Sequence, residues 1–195
     1  KSAEKKTIAP DGSTVVKVYY DRNEYTVMFN LDNGTENVVQ TYKHGADLHA
    51  PTPSRSGYTF AGWNSKLPET VTESAEYAAQ WRANDNAVTF VTNGGTDVAG
   101  QTVQTDEKIK KPSDPTRTGY TFGDWYTDQS CTKAWNFDSD KVSDAMTLYA
   151  KWTANTYDVT LNLNYDGAAE PTKITVTYDG TYSALTTPER AGYDF

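Results

Sequence analysis

Few side chains in this sequence are spaced for covalent chemistry. His44 and His49 are the two histidines, and they sit five residues apart. Zinc would need further Cys, His or acidic ligands at characteristic intervals, and none flanks them. They also have no counterpart later in the chain, so they read as solvated loop residues. Cys131 is the single thiol. It excludes an internal disulfide and reads as an inert loop or core cysteine rather than a nucleophile; it does not fix the redox compartment. Asp128, Asp138, Asp140 and Asp144 would offer oxygen ligands to calcium. Their spacing matches no EF-hand loop, which favours solvated acids. No nucleophile–His–acid set can be assembled from positions that recur along the chain. Asn93-Gly94-Gly95 lacks the Lys and following helix of a phosphate loop. A Lys–Asn isopeptide crosslink needs a pair beside a buried acid, and no such pairing recurs. The expectation is a non-enzymatic protein with no catalytic, cofactor-binding or metal residues and no cofactor.

What does recur is a signature. Gly57-Tyr58-Thr59-Phe60, Gly119-Tyr120-Thr121-Phe122 and Gly192-Tyr193-Asp194-Phe195 are copies of one motif. Pro53 and Arg55, Pro115 and Arg117, and Pro188 and Arg190 precede them at fixed offsets, and Trp63 and Trp125 follow the first two. The arginines could clamp a ligand carboxylate. An Arg at such a place more often covers a Trp face or bonds nearby carbonyls, and the structural reading is preferred. Gly57 and Gly119 would permit a turn that a Cβ obstructs. Trp135 and Phe137 would suggest sugar stacking if exposed and core if not; the core reading is preferred. No ligand-binding residue is singled out.

The elements that position these residues follow the same period. Val27, Phe29 and Leu31 alternate with Thr26, Met28 and Asn30, which predicts a half-buried strand. A turn at Asp32-Asn33-Gly34, a second strand near Val38–Tyr42 and a Pro-rich loop lead to the signature strand. Tyr77-Ala78-Ala79-Gln80-Trp81 closes the unit. The order repeats through Val88 and Phe90, Asn93-Gly94-Gly95, Val103, the second signature and Leu148-Tyr149-Ala150-Lys151-Trp152. A third unit has Val159, Leu161 and Leu163, a turn at Asp166-Gly167, then Ile174, Val176 and Tyr178, and stops before a Trp. Phe29 to Gly57 spans 28 residues and Phe90 to Gly119 spans 29, whereas Trp63 to Trp81 is 18 and Trp125 to Trp152 is 27. Length variation is therefore confined to the segment after the signature, as a surface loop allows. Two stretches, Lys66–Ala75 and Asp138–Ala145, could each hold a helix of up to two turns. Thr14–Tyr20 alternates well enough for a lead-in strand after a charged leader.

Composition sets the class. The chain has 195 residues and a net charge of −8, with 14 Tyr, 6 Phe and 5 Trp. Units of roughly 60–70 residues bury little core alone, but each buried ring removes about 150–250 Å² from water. The acidic balance argues against nucleic acid. No apolar run approaches the ~20 residues of a membrane span. No leader peptide pattern opens the sequence, which reads as part of something longer.

The whole pattern resembles the Listeria–Bacteroides repeat, the internalin-type B repeat of bacterial surface proteins. The shared motif runs from a Tyr-Thr-Val-Thr-Phe-like strand and an Asn-Gly-Gly-like turn through Pro-x-Arg-x-Gly-Tyr-x-Phe-x-x-Trp to Leu-Tyr-Ala-x-Trp. It covers residues 25–195. Ala78 stands where the closing motif has Tyr, and Asp124 where Gly precedes Trp. The resemblance implies a mainly β (α+β) chain of tandem small β-grasp, ubiquitin- or SUMO-like, modules in an elongated, monomeric array. The expected divisions are 1–24, a leader and lead-in strand ending a preceding module; 25–83, repeat 1; 84–154, repeat 2; and 155–195, a truncated repeat 3. Connectors of about four residues, Arg82–Asp85 and Thr153–Thr156, would make the array stiff. The resemblance also implies an extracellular, cell-wall-linked or secreted adhesin-type protein, with a host or cell-wall protein or glycan as partner. The expected role is a semi-rigid stalk. The alternatives are a glycan-binding accessory module and a sheet edge open to strand addition.

Overall fold

The computed structural model describes residues 6–181 and 187–194. Residues 1–5, most of the charged leader, lie outside the described residues, as do 182–186 and Phe195, the end of the third signature. The strands are β1 (Glu24–Asn30), β2 (Val38–Lys43), β3 (Ala46–Asp47), β4 (Tyr58–Trp63), β5 (Thr70–Val71) and β6 (Ala75–Ala83) in the first unit. The second unit holds β7 (Asp85–Val91), β8 (Gln101–Gln104), β9 (Tyr120–Tyr126), β10 (Met146–Ala154), β11 (Thr156–Leu161) and β12 (Thr172–Thr177). The units are Lys1–Asn84 and Asp85–Phe195.

Alternation in β1 turns Val27 and Phe29 into the core, where both are fully buried. β1 forms a hairpin with β2 and then pairs in parallel with β6, Phe29 opposite Tyr77. β6 also pairs antiparallel with the signature strand β4, giving the order β2-β1-β6-β4. The second unit repeats this as β8-β7-β10-β9, with Phe90 opposite Leu148. The closing strands are thus central. Their inward residues, Tyr77 and Ala79 in one and Leu148 and Ala150 in the other, are buried. Each signature strand carries a one-residue bulge at the same place: Ala61 between Phe60 and Gly62, and Gly123 between Phe122 and Asp124. The bulge lets Phe and Trp of the signature strand meet on one face despite the odd spacing between them.

All regular structure among the described residues is β, which corrects the helical part of the α+β expectation. At Lys66–Ala75, Pro68 and the β-branched run from Thr70 disfavour a helix; the chain forms β5 and buries Val71, whose carbonyl accepts from Gly45 N at 2.7 Å. At Asp138–Ala145, the Asp140 and Asp144 carboxylates accept from the local backbone N–H groups of Asn136 and Ala145, which competes with a continued helix. Val142 is buried there and exchanges backbone bonds with Asp106 (2.8 Å) and Glu107 (2.9 Å). Each supposed helix is therefore an extended plug that delivers one valine to the core. Residues 14–20 form no strand; only Val18 makes an isolated bridge, and Tyr20 is 88% exposed. The four-residue connectors shrink to one residue each, because β6 runs to Ala83 and β7 starts at Asp85, while β10 runs to Ala154 and β11 starts at Thr156. The third unit is the β11–β12 hairpin followed by the signature turn.

Candidate functional site

The signature builds the same turn three times. Arg55 bridges to Tyr58, Arg117 to Tyr120 and Arg190 to Tyr193, each Tyr donating its backbone N–H to the Arg carbonyl at 3.0–3.1 Å. Gly57, Gly119 and Gly192 occupy the left-handed region with φ of 76°, 77° and 80°, which explains the glycine. The guanidinium folds back over the signature's own tyrosine, 4.0 Å from the Tyr58 ring centre, 3.8 Å from Tyr120 and 3.8 Å from Tyr193. The ring it covers is thus Tyr, not the Trp expected from sequence. Its N–H groups reach backbone oxygens: Arg55 donates to Asp32 O at 3.0 Å and Arg117 to Asn93 O at 3.2 Å. Both acceptors sit in turns with positive φ. The arginines therefore tie the signature turn to the first hairpin turn and are not poised as an open carboxylate clamp.

Behind the turn lies a ladder of four rings, built alike in both complete units. Phe29 and Trp63 are 4.9 Å apart, Trp63 and Phe60 5.3 Å, and Phe60 and Trp81 5.6 Å. Phe90 and Trp125 are 4.9 Å apart, Trp125 and Phe122 5.6 Å, and Phe122 and Trp152 5.5 Å. Most of these contacts are edge-to-face, the geometry that ring quadrupoles favour. The outer indoles use their N–H on backbone: Trp81 donates to Leu31 O at 2.9 Å and Trp152 to Thr92 O at 2.8 Å. Trp125 is fully buried, and Trp63 is half-buried. Trp135 is buried too, with Phe137 packed against the same core, so these two rings are core and not a sugar platform. The Nε1 atoms of Trp125 and Trp135 have no partner among the described residues; both indoles are used for volume at some polar cost.

The candidates for covalent or metal chemistry stay apart. His44 is exposed and lies 6.0 Å from the Tyr25 ring, while the His49 backbone pairs with the Tyr42 hydroxyl. Cys131 has φ of 51° in a loop and is half-buried. Asp128 ties that loop down, accepting from Lys133 N at 2.7 Å, Thr132 N at 3.0 Å and Thr132 Oγ1 at 2.9 Å. The Lys133 amide bond, followed by those from Thr132, holds its carboxyl below the ordinary 3.8. Asp140 accepts from Asn136 N and Asp144 from Ala145 N. Among the described residues, no three His, Cys, Asp or Glu side chains gather around a point where an ion could sit. Among the described residues no helix is long and apolar enough to cross a membrane.

Three stretches, residues 25–83, 87–151 and 157–195, match the model of the Listeria–Bacteroides repeat domain. The chain belongs to the Listeria–Bacteroides repeat family. It is 33% identical over 189 residues to a protein of Evansella cellulosilytica provisionally named a membrane protein, covering 90% of this chain and 28% of the relative. A second protein of that organism, provisionally named a Gly-rich membrane protein, is 31% identical over 193 residues, 91% of this chain and 21% of its own length. Internalin H of Listeria monocytogenes is 38% identical over 95 residues, 48% of this chain and 17% of the relative. The chain thus spans less than a third of each of these relatives.

Within the family pattern, the departure at Asp124 has a local account. Its counterpart Gly62 sits at φ 118°, whereas Asp124 avoids positive φ and accepts from Trp125 N at 2.9 Å. Two groups of residues were missed by sequence reasoning. Asn84 donates its N–H to Gly57 O at 2.9 Å and accepts from Thr59 Oγ1 at 2.7 Å; Asn155 does the same with Gly119 O (2.9 Å) and Thr121 Oγ1 (2.7 Å). The signal was present, since Asn recurs in both connectors and Thr two residues after both glycines. Tyr178, taken as a strand residue, lies beyond the end of β12 and packs on Gly119. Nothing local in the sequence marks that contact.

Proposed function

We propose that this chain is a non-catalytic repeat region of a bacterial surface or secreted protein. It acts as a semi-rigid spacer that holds other parts of its parent away from the cell wall, and it adds adhesion to a host or cell-wall protein or glycan. The observation that carries this reading is the duplicated ring ladder. The side chains that define the repeat are spent on packing and on tying turns together, which suits a mechanical unit better than a reaction site. The single-residue junctions at Asn84 and Asn155 support stiffness and the divisions 25–83, 84–154 and 155–195. The parallel centre of each four-stranded sheet supports the β-grasp assignment. The internalin relative and the membrane-protein names of the others support an extracellular place.

Pulling the chain by its ends tests the reading. Two separate unfolding events, one per complete repeat, are expected. One cooperative event releasing both repeats would overturn it. The glycan-binding alternative has one observation in its favour: Trp81 and Trp152 are half-buried at matching positions. Glycan-array binding lost in Trp81→Ala and Trp152→Ala variants would favour that alternative.

A further inference from the structure

The Arg-x-Gly-Tyr turn of the second repeat is occupied. A Cβ placed on Gly119 would stand 2.3 Å from atoms of the Tyr178 ring, so the ring lies directly on the glycine backbone. Tyr120 meets Tyr178 edge-on, with ring centres 5.6 Å apart at 75°. The Tyr120 hydroxyl donates to the Asp179 carboxylate at 3.2 Å, and Arg117 covers the Tyr120 ring. The backbone continues the contact: Tyr178 N donates to Asn155 O at 2.8 Å, and Asn155 N donates to Gly119 O at 2.9 Å. Asp179 has φ of 56°, so Tyr178-Asp179 forms a corner that points both side chains at the turn. Tyr178 is half-buried although β11 is exposed along nearly its whole length.

The third copy serves as a control inside the same chain. Arg190 and Tyr193 make the same bridge and the same cation–ring contact, with Gly192 at φ 80°. Among the described residues a Cβ on Gly192 meets nothing within 4 Å, and Tyr193 is 65% exposed. Among the described residues, that turn therefore takes its shape with no ring on its glycine. The signature's glycine meets two demands at Gly119, a left-handed backbone and a bare surface for a ring, and only the first at Gly192.

We propose that the Arg-x-Gly-Tyr turn is a preformed docking site for a Tyr-Asp hairpin corner. At Gly119–Tyr120 it takes Tyr178–Asp179 and fixes the third hairpin on the second repeat, with Asn155 as the clip between them. The mechanical consequence, a stiff joint, rests on the spacer reading; the docking itself does not. Apolar contact between ring and glycine supplies the attraction, and the Tyr120–Asp179 bond sets the orientation.

Spin labels on Lys110→Cys and Lys173→Cys, in a Cys131→Ser background, report the distance between repeat and hairpin. Pulsed electron resonance on the full chain should give one narrow distance peak, kept in Tyr178→Phe and lost in Tyr178→Ala. Tyr120→Phe leaves the hairpin sequence intact and should broaden the peak as well. Amide protection at Val159 and Ile174 identifies a hairpin that remains paired, and the melting of repeat 2 should not move. A peak that stays narrow in Tyr178→Ala, or that is already broad in the parent, overturns the proposal. A peak lost only together with Val159 protection, with Tyr120→Phe unchanged, overturns it too. The pulling experiment can fail while this one succeeds, which separates the docking from the spacer reading.

Discussion

At the scale of single residues, two positions have sharp consequences. Gly95 lies at the first hairpin turn of repeat 2, and a Cβ there would stand 2.5 Å from the Trp152 ring and 3.3 Å from Thr116 O. Trp152 cannot retreat without breaking its bond to Thr92 O. Gly95→Ala should therefore destabilise the repeat by about 1–3 kcal/mol, the usual cost of overpacking, read as a lower denaturation midpoint at unchanged slope. Asp128 governs a pH response. Its folded carboxyl titrates below the unfolded value of 3.8, so its contribution is fully present above that value and disappears as pH falls through the lowered folded value. Protection of the Thr132 and Lys133 amides, relative to an unstructured peptide at the same pH, should fall as the solution is acidified below 3.8. In Asp128→Asn that acid-dependent step should be absent; an identical acid profile in the variant would refute the assignment.

At the scale of elements, the ring ladder is the packing unit that the two complete repeats share. Trp125 is fully enclosed and touches both Phe90 and Phe122, so Trp125→Ala should cost about 3–5 kcal/mol. Trp63 touches the equivalent rings, Phe29 and Phe60, but is half-buried, and its alanine variant should fall at the low end of that range. Urea denaturation of both variants ranks them; equal losses would mean that the fuller enclosure of Trp125 adds nothing to what its ring contacts contribute. The strands of this ladder were legible because a period of two is local: Val27 and Phe29, or Val88 and Phe90, announce an inward face without any tertiary knowledge. The helices were misread for the complementary reason. Lys66–Ala75 and Asp138–Ala145 have enough polar and apolar mixing to suggest a short amphipathic turn, but one buried valine in each decides the outcome. Val71 and Val142 are held by backbone bonds to distant loops, which no local window contains; at Lys66–Ala75, Pro68 and Thr70-Val71-Thr72 were nevertheless a local signal against a helix. The bulges at Ala61 and Gly123 were hidden as well, since they follow from register between strands and not from composition. The Arg-x-Gly-Tyr turn was legible as a turn. Its arginine was legible in its bonds to nearby carbonyls but not in the ring it covers, because Arg-on-Tyr and Arg-on-Trp look alike in sequence.

At the scale of the whole molecule, the question is how far damage spreads. The core of the first unit (Val27, Phe29, Leu31, Val71, Tyr77) and that of the second (Val88, Phe90, Ile109, Trp125, Leu148 and their neighbours) share no residue. Each encloses its own ladder. The β11–β12 hairpin differs. Its side chains are mostly exposed, and a lone two-stranded hairpin is marginal in water. Its support within the second unit comes through Tyr178, Asp179 and Asn155 on the signature turn. At a urea concentration just past the midpoint of Trp125→Ala, the native cross-peaks of residues 85–154 should therefore leave an amide correlation spectrum and take those of Thr156–Thr177 with them. Residues 25–83 should keep native shifts in the same sample. Collapse of all three sets together would mean that the units share one folding transition. Survival of the hairpin peaks after repeat 2 has unfolded would mean that the hairpin stands without its dock.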